Sequence, residues 1–580
     1  MVNYSQTCVT NPADFPFPLP IQTERLVIRP PQKGDGKAVF HAIQESIGEL
    51  EPFSPWVRGR KFSEEICEEE SVQAAEKFRL RHDLRFHVFD RSTAELVGAV
   101  GYSWYDWKAR EFEIGFWTRT SRARRNYASE STHALAKYAF EKLQAKRVFL
   151  KCHTNNSAAR SLILDLGFEL ESEAQGLCHF SMSNPSLLRP ARSQKAIRYQ
   201  TDLVIDFQKK TAQGICTLFF QPLDQPSRLT LKLPGYEIHE VLCENQKCDF
   251  QLWGENFWMQ VPASAKSVTF RYQVRSSSGL TIHSSYAFTG HETNRWMPCH
   301  MDPSQKASFQ LNVKVPSDMS LVCSSDELPF SAYLFGFAIG KFQSSEIKDE
   351  GKRYLFYGVQ ETSNGLLNRF KETPSMLKFL ESKTGISYPK KTYTQVLVPD
   401  DICQEKNGFS IISKKALDPI LEDPKHDWII IHELAHQWFG NSITCRTWND
   451  LWLNEGFATF LVACYKNKTW GETEFDREME LLKSRHKTAV KSNQDFRLGD
   501  PRSAENFDLT QSLTYSKAAL FLEDLRLRLG DALFWRAIQD YAQENWMGSV
   551  QGRDLARAFL KVDPSLKTFL ESRIEGSLLF

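Results

Sequence analysis

The segment Ile431-His-Glu-Leu-Ala-His-Gln-Trp-Phe-Gly440 constrains this 580-residue chain more than any other stretch. On a helix, positions four apart share a face, so His432 and His436 would present two imidazole nitrogens to one point. Glu433, next to the first of them, is placed to take a proton from water held at that point. Trp428-Ile-Ile-Ile431 would bury the other side of the helix, and Gly440-Asn441 would end it. A catalytic zinc takes three protein ligands and keeps one position open. The third candidate is Glu455, separated from His436 by 18 residues, in Trp448-Asn-Asp-Leu-Trp-Leu-Asn-Glu-Gly-Phe457, which reads as a second helix. Two buried histidines and two buried glutamates without a metal would be a costly core. We therefore expect one Zn2+ per chain, held by His432, His436 and Glu455.

Charge narrows the partners. Lys+Arg is 72 and Asp+Glu is 71, a formal net charge of +1, which argues against nucleic acid or an anionic membrane as the chain's main partner. No apolar run approaches the ~20 residues needed to cross a bilayer. The first 24 residues lack Lys and Arg and are broken by Pro12, Pro16, Pro18 and Pro20, unlike a secretory leader. Twelve scattered cysteines, with only Cys243 and Cys248 close together, read as reduced thiols in a cytoplasmic protein rather than a disulfide framework.

Periodicity divides the chain in three. Over 21–180 strands and helices mix: 24–29 alternates, 86–90 and 96–105 read as a hairpin, 113–118 as a strand and 130–143 as a helix. Residues 186–196 lose periodicity and turn basic, the mark of a linker. From 196 to 342 short strands dominate, at 203–207, 216–220, 229–233, 267–274 and 309–315. From about Thr362 helical patterns take over, at 426–439, 450–465 and 517–529.

The pair HELAHQWFGN and WLNEGFA, at the spacing HExxH-x18-E, resembles the aminopeptidase-N family of zinc gluzincins. Pro298-Cys-His-Met-Asp-Pro303 with Lys306-Ala-Ser-Phe309 resembles that family's PCxDEP segment. Tyr333-Leu-Phe-Gly-Phe-Ala-Ile-Gly340 and Gly385-Ile-Ser-Tyr-Pro389 resemble further segments, so the likeness runs from about Ala196 to the C-terminus. It implies that Glu405, in Ile402-Cys-Gln-Glu-Lys-Asn-Gly408, binds the free α-amine of the substrate where the family has GxMEN; Ile402 and Lys406 depart from that pattern. It implies that Tyr515, in Thr514-Tyr-Ser-Lys-Ala-Ala519, stabilises the oxyanion. The family's substrate-contacting Gln upstream of PCxDEP has no assigned counterpart in Phe288-Thr-Gly-His-Glu292. The family's large C-terminal helical domain has no counterpart in the 65 residues after Tyr515.

The front of the chain resembles GNAT acetyltransferases, closest in style to those acting on ribosomal-protein N-termini. Thr23-Glu-Arg-Leu-Val-Ile-Arg29 is similar to their opening strand and Glu113-Ile-Gly-Phe-Trp117 to the strand before the cofactor loop. Asn156 followed by Asp165-Leu-Gly-Phe168 is similar to their N…KLGF ending. The likeness implies an acetyl-CoA site at Ala123-Arg-Arg-Asn-Tyr-Ala128, with Arg124, Arg125, Asn126, Ala128 and Asn156 as candidate contacts and Glu113 as candidate base. Asn126 stands where the family has Gly, and Asn tolerates left-handed backbone better than most residues.

The resemblances imply a multidomain chain: an α+β GNAT-like domain at 1–185, a linker at 186–196, an all-β sandwich or saddle domain at 197–345 and a mostly α thermolysin-like catalytic domain at 346–580. The expected activity is removal of the N-terminal residue from peptides with a free N-terminus. The front domain would bind acetyl-CoA and acetylate amines or N-termini. A zinc endopeptidase, or a binding protein with decayed sites, are the rival readings.

Overall fold

The computed structural model describes residues 19–123, 125–183, 194–223, 226–324, 328–491, 495–500 and 512–574. The candidate contact Arg124, the opening residues 1–18 and most of the linker read at 186–196 lie outside these. The chain forms two compact units. One is Met1–Gln194 with Leu223–Thr230 and Met259–Ser264; the other is Lys195–Pro222, Leu231–Trp258 and Ala265–Phe580.

In the first unit, strands alternating between buried and partly exposed residues, such as Leu26–Arg29 and Arg147–His153, assemble one eight-stranded sheet. Its strand order is Ile21–Gln22, Leu26–Arg29, Leu84–Asp90, Leu96–Asp106, Glu111–Thr118, Arg147–His153, Leu177–Met182, Glu169–Ala174. Neighbours are antiparallel except Glu111–Thr118 and Arg147–His153, which run parallel and pair only at Glu111↔Arg147, Phe112↔Val148 and Glu113↔Phe149. Beyond Glu113 the two strands part. The helix expected at 130–143 spans Tyr127–Glu141 and follows directly on that opening. It buries Leu135, Ala136 and Ala139 in a core shared with Leu26, Phe86, Phe112 and Leu150.

The second unit opens with an essentially antiparallel seven-stranded sheet in which only Lys306–Val313 and Ala196–Asp206 pair in parallel. Gly214 there faces the Tyr272 ring, where a Cβ would meet the phenol at 2.3 Å. The expectation that helices take over from Thr362 needs correction. A five-stranded sheet, ordered Gln343–Asp349, Lys352–Gly358, Thr392–Val398, Phe409–Ser413, Gln404–Lys406, is interleaved with them. Its inner strand Phe409–Ser413 is buried along its whole length, so it carries no alternation to tell it from a buried helix. The helices then stack on this sheet around Trp438, Phe457, Phe460, Leu522 and Tyr541.

Among the described residues no helix is long and apolar enough to cross a membrane, and the eleven described cysteines, Cys243 and Cys248 included, are free thiols.

Candidate active site

The helix carrying the histidine pair is shorter than its periodicity suggests. It spans Trp428–Ala435 instead of 426–439, and His436 is its C-cap. Bonds from Gln437 N to Leu434 O and from Trp438 N to Ala435 O tighten the end into a narrower turn. Gly440 then adopts φ +142°, a backbone conformation that favours glycine, and a Cβ there would press on His436 Nδ1 at 3.2 Å. This tight exit brings Phe439 O to 3.0 Å from His436 Nδ1. The carbonyl needs a donor, so a proton sits on Nδ1, and in the neutral ring the Nε2 lone pair faces inward.

The partner helix spans Trp452–Trp470 rather than 450–465 and carries Glu455 in its first turn. Phe439 and Phe457 stack at 4.1 Å and hold the two segments together. As a result Glu455 Oε2 lies 3.4 Å from His432 Nε2 and 3.3 Å from His436 Nε2. All three groups are buried, and their ligand atoms fall within 4.8 Å of one another. Glu433 Oε2 is buried without any hydrogen-bond partner, and Glu455 Oε2 faces the two imidazole Nε2 atoms. Buried carboxylate oxygens cost free energy unless something satisfies them. One cation with a solvent molecule between these groups would satisfy both, and two imidazoles with a carboxylate are a zinc-type donor set, so the residues fit the metal.

The electrostatics separate the two carboxylates. Burial pushes Glu433 well above the usual carboxylate range, against the pull of His436, with Glu405 and Glu455 adding to the rise. Glu455 is also penalised by burial, but His436 and His432 outweigh that and hold it low. One group is thus inclined to carry a proton and the other to stay ionised, a division typical of acid–base sites. Burial together with the Glu455, Glu405 and Glu433 charges raises Tyr515, which keeps its proton and acts as a donor.

Tyr515 sits in a π-helical turn, Ser512–Lys517, ahead of the helix Ala518–Leu529. Such turns push a side chain out of helical register, and here the phenol ring stacks 5.9 Å from the His432 ring. Glu405 stands on the short edge strand Gln404–Lys406, opposite Ser410. Its charge acts on His432, His436, Glu433 and Tyr515, so it shares their site. A cleft of about 1170 Å³ opens onto this site, with Cys403, Glu433, His432, Tyr515, Lys425 and Arg477 among its walls.

Several residues that sequence reading missed hold the parts together. Gln437 Nε2 and Asn441 Nδ2 both donate to Lys406 O, at 2.9 and 3.0 Å, which ties the end of the histidine helix to the strand carrying Glu405. Asn454 Nδ2 donates to Tyr333 Oη at 3.2 Å, and its Oδ1 accepts from Cys445 N. The Lys406 ammonium is fully buried, donates to Gly290 O at 2.7 Å and Tyr333 O at 3.0 Å, and is pushed down to about 8 by burial. Within the segment where no Gln could be assigned, the polar side chain directed at the Glu405 strand is His291, which contacts Gln404. Gln437 and Asn441 lie inside the recognised HELAHQWFGN string, a signal that could have marked them.

In the first unit, Asn126 adopts φ 61°, ψ 13° as the N-cap of Tyr127–Glu141, and Ala128 lies in the first turn of that helix. Arg125 is exposed, and its carbonyl accepts from Arg25. Asn156 caps the next helix by accepting from Ala159 N at 3.1 Å. Glu113, at the point where the strands part, pairs with Lys151 at 2.8 Å.

Comparison with known proteins bears on both parts of the chain. Residues 369–572 match the model of the peptidase family M1 domain, and residues 25–169 that of the acetyltransferase (GNAT) domain. The chain is 22% identical over 429 residues to aminopeptidase N of Lactococcus lactis subsp. lactis, covering 65% of this chain and 50% of that protein. It is 28% identical over 338 residues to human endoplasmic reticulum aminopeptidase 1, covering 51% of this chain and 35% of that protein. The chain therefore spans about half or less of the length of such curated relatives. An M1 zinc metallopeptidase from Deinococcus radiodurans shares the fold with a TM-score of 0.55 at 20% identity, over 67% of this chain and 97% of that one. A mutant of the same enzyme has been crystallised with a Tyr-Ser-Ala substrate. Residues 369–572 are thus a peptidase family M1 domain, and the same chain carries a GNAT acetyltransferase domain at 25–169.

Proposed function

We propose that the chain is a zinc aminopeptidase that removes the N-terminal residue from peptides, joined to a GNAT domain that binds acetyl-CoA. The observation that carries the first part is the convergence of His432, His436 and Glu455 with the unpartnered buried Glu433 Oε2, beside a cleft. We read the helical part as thermolysin-like and the β-rich part before it as the family's saddle domain.

Zinc held by His432, His436 and Glu455 would supply a Lewis acid for the scissile carbonyl and for water. Glu433 takes a proton from the attacking water at its free Oε2 and returns it to the departing amine. A carboxylate held high by burial suits that exchange. Tyr515, kept protonated, donates its phenol hydrogen to the oxyanion as charge develops there. Glu405 pairs with the substrate's α-ammonium and so places the first peptide bond at the reacting centre. The tripeptide bound by the Deinococcus radiodurans relative supports a short peptide as substrate class. The eleven free thiols among the described residues agree with a reducing, cytoplasmic setting.

For the front domain, the parting strands beyond Glu113 and the left-handed Asn126 at a helix N-terminus favour acetyl-CoA. Such a turn directs backbone N–H groups toward a pyrophosphate. Arg125, Ala128 and Asn156 remain its candidate contacts, and protein or peptide N-termini its candidate acceptors.

The deciding experiment is turnover of an aminoacyl anilide by the full chain, with metal analysis. Activity should vanish with a chelator and in Glu433→Gln, and an N-terminally blocked peptide should not be cut. Blocked and free peptides cut at equal rates would make the protein an endopeptidase. Calorimetry with acetyl-CoA tests the front domain.

A further inference from the structure

We propose that Gln404 and His291 are positioning residues for the substrate's amino group, acting through Glu405; the proposal rests on the reading of Glu405 as the amine anchor. Glu405 lies on a three-residue edge strand, where a glutamate side chain would ordinarily sample several rotamers. Here it is held. The Gln404 amide, 3% exposed, donates from Nε2 to Glu405 Oε2 and also reaches Glu405 O at 3.3 Å. Its Oε1 in turn meets His291 Nδ1, 113 residues earlier in the chain.

The chemistry of each group fixes the direction of this chain of bonds. An ionised carboxylate only accepts, so the Gln404 NH2 must face Glu405. The amide oxygen then faces His291, whose Nδ1 must carry the hydrogen. Successive bonds of this kind polarise one another. With the amide on Oε2, the substrate ammonium is met by Oε1. Neither end of the relay can drift. Next to His291, Gly290 is so enclosed that a Cβ would meet Ser278 O at 2.2 Å. On the other side of Glu405, Lys406 clamps the strand to Gly290 O through its ammonium and to Gln437 and Asn441 through its carbonyl.

The test uses the zinc-loaded full chain and compares Glu405→Gln, Gln404→Leu, His291→Phe and His291→Asn. It reads KM and kcat on an aminoacyl anilide, the Ki of a hydroxamate lacking an α-amine, and zinc content. Gln404→Leu and His291→Phe should raise KM roughly 5- to 20-fold and leave kcat within about threefold, because the lost interaction acts on amine binding. The Ki of the amine-free hydroxamate and the zinc content should be unchanged. His291→Asn, which keeps an N–H donor near the Nδ1 position, should recover most of the loss. If Gln404→Leu and His291→Phe leave KM within about twofold of the parent while Glu405→Gln raises it, the relay is overturned and the anchor stands. An equal rise in the hydroxamate Ki would also overturn it, by showing general damage to the site. If Glu405→Gln leaves KM unchanged, the anchor reading fails and the relay falls with it.

Discussion

The Nε2 atoms of His432 and His436 face each other across 3.2 Å, with their rings at 87°. Since His436 Nδ1 carries its proton toward Phe439 O, the inward nitrogen of the neutral ring is a lone pair. The approach is unfavourable without a cation or a shared proton between the two rings.

Metal removal should therefore weaken the fold as well as the activity. Without the ion, two imidazoles and two carboxylates stay buried with incomplete partners, a defect on the order of 3–5 kcal/mol. Scanning calorimetry of chelated protein should show the unfolding transition of the second unit at lower temperature. One zinc ion per chain should restore it, and His432→Ala should not respond.

Tyr515→Phe removes the phenol hydroxyl and leaves the ring stacked beside His432. Loss of a single oxyanion donor should lower kcat by about 10²–10³-fold. KM should stay within about threefold and zinc content unchanged, because the phenol acts after binding.

Gly456 follows Glu455 in a helix interior, where Ala ordinarily stabilises by about 1 kcal/mol. Here an added Cβ would meet Ala518 Cβ at 2.4 Å. Overpacking should win, so Gly456→Ala should destabilise by about 1–3 kcal/mol. It should also cut kcat, because Ala518 directly follows the turn that carries Tyr515. Urea midpoints and steady-state kinetics measure the two effects.

Asp427, at the start of the histidine helix, is raised from 3.8 to about 6, chiefly by burial, with Lys466 and Trp470 opposing the shift. The folded chain thus holds this proton more tightly than the unfolded chain. Its contribution to stability is greatest below about pH 4, declines as pH rises toward about 6 and is lost above that. Asp427→Asn should remove that slope and stabilise the protein at pH 7.5 by on the order of 2 kcal/mol. The two proteins should converge below about pH 4, as denaturant midpoints across that range would reveal.

Asn126 occupies the left-handed region at φ 61°. Asn126→Gly should leave stability within about 1 kcal/mol and preserve acetyl-CoA binding. Asn126→Val should cost about 1–2 kcal/mol and abolish that binding. Thermal denaturation and calorimetry distinguish these outcomes.

Much of the site is written in local spacing. The four-residue step from His432 to His436 follows from helix geometry, so one face was predictable from five letters. The hairpin of Leu84–Asp90 and Leu96–Asp106 and the helix after the cofactor loop were legible for the same reason. Local pattern also left an opening at Asn126, which the backbone fills with the left-handed conformation that Asn tolerates.

Tertiary structure alone decided the rest. The early end of the histidine helix depends on a turn closed by Phe439 O and Gly440, not on periodicity. The strand Phe409–Ser413, inside the helical region, is buried on both faces and so lacks the alternation that would announce it. His291 meets Gln404, and Lys406 meets Gly290, across more than a hundred residues. Backbone geometry imposes periods of two and 3.6 residues within an element, so these can be read from one sequence. Which elements meet, and in what register, depends on the packing of the whole core and leaves no mark in the residues on either side of a contact.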